Sequence, residues 1–208
     1  SHECARTYMG VLGVARESGD PSPLLGFAET FPDCPQAAVA RIRAVSEYDS
    51  MAADLGSALD QLAAHLSREA ERRVPGQILK VVVADLLDSS KCETELGRFL
   101  SDSLATAMVG LAPFQVMERA QLDAVLDELR TQHSDLFADD QAVEAGRMLG
   151  AQAVVVGSLS RVGKSAMLNL RLLDIATGQG LVGASDSLLL DRDLDMMLRS
   201  RLTCPDWQ

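Results

Sequence analysis

The chain has 208 residues, of which 47% are hydrophobic, 24% charged and only 4% aromatic. That is the composition of a globular protein with one full domain and room for a small appendage, its core built mostly from Leu, Val, Ala and Met. A net charge of −11 weighs against a nucleic-acid partner and against a polybasic membrane anchor, since both need a basic face.

No apolar stretch reaches the roughly 18 residues needed to span a bilayer. Ser1 and His2 resemble a tag scar. The expectation is that a native N-terminus, with any signal or lipid anchor on it, has been removed.

In chain order, residues 1–35 are punctuated by Pro21, Pro23, Pro32 and Pro35 and by four glycines. They are expected to form an irregular arm, with a short strand over Tyr8–Val14. From Gln36 to Arg73 the pattern turns helical. Val39, Ile42 and Val45 lie three apart, and Met51, Leu55, Leu59, Leu62 and Leu66 continue one apolar stripe. Asp49 or Ser50 could cap a break between two helices, and Pro75-Gly76 ends the element. The run 78–86 is apolar on both faces, as a covered central strand should be. A helix over about 93–110, a short strand at Phe114–Met117, a helix over 118–130 and another over about 139–149 follow.

The last third changes period. A strand at 152–161, opened by the largely β-branched run Ala153–Val156, leads to a turn at Gly163-Lys164. Leu168, Leu170 and Leu172 then alternate with Met167, Asn169 and Arg171, as in a half-exposed strand. Thr177-Gly178 marks a second turn, 181–190 a third strand, and 191–202 a closing helix. Strand–helix alternation followed by a meander predicts an α/β (α+β) fold with a mixed parallel and antiparallel sheet flanked by helices. A long N-terminal helical region and the irregular arm precede it. The division is an arm at 1–35 and a single domain at 36–208, with its core at 78–190.

The search for chemistry is mostly negative. Gly157 to Gly163-Lys164-Ser165 has five residues between its glycines where a Walker A loop has four, and a strand pattern follows where a helix is needed. A turn is the better reading. His2, His65 and His133 are scattered, with no metal-ligand spacing and no triad pattern. No metal, cofactor or catalytic residue is assigned. Asp85 lies at the end of the first strand, where α/β sheets commonly bind ligands, but a cap of the following turn is preferred. Arg119 follows the second strand and reads first as a structural ion pair. With His133 and Asp135 in the polar link, it is also a candidate contact for a partner. The four cysteines, Cys4, Cys34, Cys92 and Cys204, contain no C-x-x-C pair. Free thiols and two disulfides are both open readings. Cys4–Cys34 would tie down the N-terminal segment and Cys92–Cys204 would staple the tail, but three pairings exist and the sequence does not choose.

Four blocks carry a family resemblance. Val81 to Asp85 with Gly97–Ser101 and Leu104 resembles the opening of the FlgO domain. Val116, Glu118, Arg119, Leu122, Leu126 and Glu128 resemble its V-x-E-R-x-x-L-x-x-x-L-x-E element. Gly146, Leu149–Ala151, Val154, Val155 and Gly157 resemble its helix–glycine–strand element, and Arg171, Leu172, Asp174, Thr177 and Gly178 its R-L-x-D-x-x-T-G hairpin. Order and spacing are kept over about residues 78–190. The chain thus resembles the FlgO-domain family, related to the curli secretion protein CsgG and to TolB N-terminal-like domains.

The resemblance implies a non-catalytic bacterial cell-envelope protein, an adaptor or assembly factor for flagellar or other outer-membrane machinery. It implies action by protein–protein binding, in the periplasm or on the periplasmic face of the outer membrane of a Gram-negative bacterium. Envelope protein partners, no nucleic acid, a lipid anchor on the native N-terminus and homo-oligomers belong to that expectation, and an oxidising compartment favours disulfides. The competing reading is a small-ligand or nucleotide-binding domain with a site near Asp85 and Gly157, at the C-terminal ends of the parallel strands.

Overall fold

A computed structural model describes residues 2–18, 20–132 and 138–204. The chain divides into two compact units, Ser1–Ser57 and Ala58–Gln208.

The first unit is helical. Helix α1 (His2–Ser18) and helix α2 (Ser22–Thr30) precede α3 (Gln36–Arg73), whose first half belongs to this unit. Residues expected to be irregular are therefore largely helix, and no strand forms at Tyr8–Val14. Pro21 and Pro23 do not break α2: they sit at its entry, where their missing N–H groups cost nothing. Tyr8, Leu12 and Ala15 recur at helical spacing and pack with Leu24, Phe27 and Ala28 of α2 and with Ala37, Ala40 and Ala44 of α3. The rings of Tyr8 and Phe27 meet at a tilt, with centroids 5.6 Å apart. The buried stripe of α3 here is alanine. Val39, Ile42 and Val45, expected to face inward, lie outside, with Ile42 71% exposed. Alanine lets helix backbones approach closely, which the larger β-branched side chains do not. Helix α3 also continues without the break expected near residue 50.

The second unit holds a mixed, eight-stranded sheet flanked by helices. Its strands are β1 (Leu79–Val83), β2 (Leu87–Asp88), β3 (Glu93–Thr94), β4 (Phe114–Val116), β5 (Ala153–Val162), β6 (Ser165–Asp174), β7 (Gly180–Leu189) and β8 (Arg201–Thr203). Helices α4 (Glu95–Met108), α5 (Arg119–Gln132), α6 (Ala138–Met148) and α7 (Arg192–Arg199) complete it. β1 pairs in parallel with β4 and β5, and β5, β6 and β7 form an antiparallel meander. This is the expected hand-over from parallel sheet to antiparallel flank. The short pieces β2, β3 and β8 were not anticipated; two- and three-residue strands leave no periodicity to read.

Both faces of the sheet are covered where β1 meets β5. On one side Val82, Ala84, Val154 and Val156 pack with Leu122, Leu126 and Leu129 of α5 and Ala142 and Ala145 of α6. On the other lie Val81, Val83 and Val155, while Leu96, Leu100, Leu104 and Met108 of α4, which contacts β1, are fully buried. Helix α6 ends in a Schellman motif: Ala151 N–H donates to Gly146 O at 2.8 Å and Gly150 N–H to Arg147 O at 3.0 Å. Gly150 takes the left-handed conformation this needs, φ +72°.

Candidate functional site

The site begins with a defect in the sheet. β6 lies along the whole of one edge of β5, so β1 and β2 share the other edge in succession. Val83 pairs with Val155 and Leu87 with Ser158. Four steps on one strand oppose three on the other, so the chain carries one extra residue between β1 and β2. Such a bulge bends the strand and re-aims its side chains. Leu86 turns inward and is fully buried; Asp85 turns towards α4 and α5.

Two glycines make room for this. A Cβ on Gly97 would stand 1.9 Å from the Leu86 carbonyl oxygen. A Cβ on Gly157, opposite the bulge, would stand 2.5 Å from Asn169 O and 2.8 Å from Leu86 Cδ2. The space a nucleotide would need over Gly157 is filled by the protein itself. Gly163, with φ +63°, turns β5 directly into β6, so the glycine–lysine–serine run is a hairpin turn.

Asp85 is not a turn cap, as the sequence suggested. Its side chain, 8% exposed, forms an ion pair with Arg119 Nη2, and its Oδ1 lies 3.0 Å from Ser101 Oγ. Arg98 Nε reaches Oδ2 at 3.4 Å. Arg119 is the hub. Its Nη1 donates to Ser101 Oγ and to Asp102 Oδ1, each at 3.0 Å, and its Nε lies 3.3 Å from Asp123 Oδ1. Burial alone would lower the guanidinium pKa. The hydrogen bond to Asp85 and the charges of Asp85, Asp123 and Asp102 outweigh that and raise it above the ordinary arginine value. Arg119 is therefore a fixed cation, with its fork of donors turned onto its own protein.

This arrangement suits positioning rather than turnover. Arg119 ties β1 to α4 and α5 through Asp85, Asp102 and Asp123, while the three groups at the rim face solvent: Asp102, Asp123 and Arg98 are each about half exposed on their side chains. Arg98 also lies 3.9 Å from Glu93. With two arginines and four carboxylates, the cluster carries a formal surplus of two negative charges, and its surface is a mixed, mainly acidic rim. His133 and Asp135, the other candidate contacts, lie outside the described residues. Among the described residues, no group of His, Cys, Asp and Glu could hold a metal ion.

A second constellation holds the C-terminal strand. Asp88 Oδ1 accepts from Ser90 N–H at 2.7 Å and Cys92 N–H at 2.9 Å, forming the turn in which Lys91 takes φ +63°. This conformation is uncommon for a side chain with a Cβ, and the surrounding hydrogen bonds over-determine it. Arg201 Nε donates to Asp88 Oδ2 at 3.2 Å, β8 pairs with β3, and Cys92 is bonded to Cys204. Cys4 is bonded to Cys34 in the first unit. Among the described residues no cysteine is free. Sequence reasoning singled out Asp85 and Arg119 but missed Ser101, Asp102, Asp123 and Arg98 as their partners, because helical spacing does not show which faces meet across a bulge.

Residues 80–167, from β1 into β6, match the family model of the curli production assembly/transport component CsgG. No curated protein matches the sequence significantly. Among solved structures, the LpoB C-terminal domain from Salmonella enterica aligns with a TM-score of 0.49 at 17% identity, covering 64% of this chain and 98% of that one. The LpoB C-terminal domain from Escherichia coli gives 0.46 at 14% identity, over 62% and 98%. The lipoprotein GNA1162 from Neisseria meningitidis gives 0.42 at 19% identity, over 55% and 83%. In the part of the chain that builds the bulge, the Arg119 hub and the start of the meander, this protein is similar to the CsgG assembly/transport family.

Proposed function

We propose that this protein is a non-catalytic cell-envelope adaptor or assembly factor that works by binding other envelope proteins. The match of residues 80–167 to an assembly/transport component carries this reading. Two disulfides support it, since such bonds persist in an oxidising compartment such as the periplasm. So does the Arg119 hub, whose cation is neutralised from within. The working location is the periplasm or the periplasmic face of the outer membrane. Flagellar assembly is the finer form of the proposal, resting on the four sequence blocks. The docking surface is the rim on α4 and α5, where Asp102 and Asp123 offer carboxylates to a basic partner and Arg119 sets their positions.

The test is photo-crosslinking in cells from a position on α5 beside Asp123, with cell fractionation. The expected result is a crosslinked envelope protein that is lost in Asp102→Lys/Asp123→Lys. A full-length protein that stays in the cytosol would sink the proposal.

A further inference from the structure

The meander ends in an open edge. Among the described residues β7 pairs with β6 alone, and nine residue pairs tie it there, from Ser165↔Leu189 to Leu173↔Gly180. Leu190 N–H donates to Lys164 O at 2.9 Å. In an antiparallel ladder the hydrogen-bonding residues alternate, so the even-numbered groups of β7 point to β6 and the odd-numbered groups point away. At one of these, Ser187, the N–H donates to Oδ1 of the neighbouring Asp186 at 2.7 Å, a side chain standing in for a strand. Of the usual guards, Gly180–Leu189 has no lysine, no arginine and no proline, and its one charge is Asp186. Its side chains towards the open sheet face are small, Gly183, Ser185 and Ser187, and it ends on Leu189, 73% exposed.

We propose that the β7 edge is the docking site for a second copy of this chain, joined antiparallel about a two-fold axis at Ser185. The sequence of the strand identifies the occupant. An isologous interface must be complementary to itself, and in LVGASDSLL, Leu181 to Leu189, the residues equidistant from Ser185 match in kind at three of four pairs, Leu181 with Leu189, Val182 with Leu188 and Gly183 with Ser187, Ala184 with Asp186 being the exception. With Ser185 opposite itself, Gly183 faces Ser187 of the second copy and Leu181 faces Leu189. These are odd-numbered positions, so the outward N–H and C=O groups meet one another. A shift by one residue would set odd against even and leave them unmatched. On the other face Val182 meets Leu188. Asp186 meets Ala184, so the only charge on the strand avoids its own copy despite the acidic chain. The register shift between Leu172 and Leu173 leaves Leu181 as the extra residue at the end of β7, clear of the central pairs.

One strand edge is a small interface, at the weak end for protein pairs. Sedimentation velocity of the full chain should therefore span about 5 to 500 μM. The mass is expected to rise from 22.3 kDa towards twice that value. Ser185→Lys sets like charges on the axis and should weaken the dimer at least about tenfold. Ser185→Pro removes an N–H that the β6 ladder does not use, and should do the same with an unchanged melting curve. Ser185→Cys should crosslink to itself through a short bis-maleimide, while the exposed Gln77→Cys should not. A wild type still monomeric at the highest concentration, or a dimer that survives both Ser185→Lys and Ser185→Pro, would overturn the proposal.

Discussion

The two compact units solve the problem of a small core in different ways. The described residues of 1–57 contain no sheet and bury alanines on α3 against a few larger side chains, chiefly Tyr8, Leu12, Leu24 and Phe27. Each buried alanine removes little apolar area from water, so the hydrophobic return is small. The Cys4–Cys34 bond closes this unit on itself. The second unit buries long runs of Leu and Val on both faces of a sheet, and its disulfide lies at the margin, holding the short strand β8 to β3. The lesson is that a disulfide matters by what else is available. At the edge of a rich core it trims fraying; in an alanine core it is a main restraint.

The loop-entropy view predicts the opposite ranking, which makes the comparison breakable. Cys92–Cys204 closes 112 residues and Cys4–Cys34 only 30, so the entropic contributions are about 5 and about 4 kcal/mol respectively. Cys92→Ala/Cys204→Ala should lower global stability more in denaturant. Hydrogen exchange should nonetheless show a confined change, with β8 and β3 losing protection. Cys4→Ala/Cys34→Ala should cost less globally yet remove protection throughout α1 and α2. If α1 and α2 keep their protection without the bond, the alanine core is sufficient and the contrast fails.

Asp85→Ala sharpens the description of the second unit. It leaves Arg119 charged and partly buried beside its remaining carboxylates, at a cost of about 3 kcal/mol in chemical denaturation. The sign of the arginine's pH dependence follows from its raised pKa. Its stabilisation is complete below the unfolded arginine value and is lost only as pH rises through the still higher folded one. That window is strongly alkaline, so Arg119 itself gives no pH dependence near neutrality. The smallest effect belongs to the first unit. Ile42→Ser, on the exposed side of α3, should change the melting behaviour by no more than about 0.5 kcal/mol, although the apolar pattern alone ranks Ile42 as core.

The hydrophobic periods were legible wherever an element is long. Leu59, Leu62 and Leu66 are buried as their spacing requires, and the meander from β5 to β7 follows the alternation and the turns at Gly163 and Gly178. The failures share a cause. Prolines at 21 and 23 suggested an irregular arm, yet proline at a helix entry starts a helix as readily as it ends one. Val39, Ile42 and Val45 suggested a buried face, yet the face of α3 that packs with Tyr8, Leu24 and Phe27 carries Ala37, Ala40 and Ala44. Asp85 and Arg119 were each noticed, but 34 residues separate them and no local pattern joins them.

The sequence by itself determined the mixed sheet, the order of its main elements and the absence of a Walker-type loop, because these depend on period, turn residues and spacing within short windows. It also carried the four blocks on which the family resemblance rests. Only the tertiary structure decided the bulge between β1 and β2, the burial of Leu86 against Gly97 and Gly157, the ring of carboxylates around Arg119 and the pairing of the cysteines. Each of these depends on which faces meet across the fold. That is a property of register and helix approach, and residues far apart in the chain settle it together.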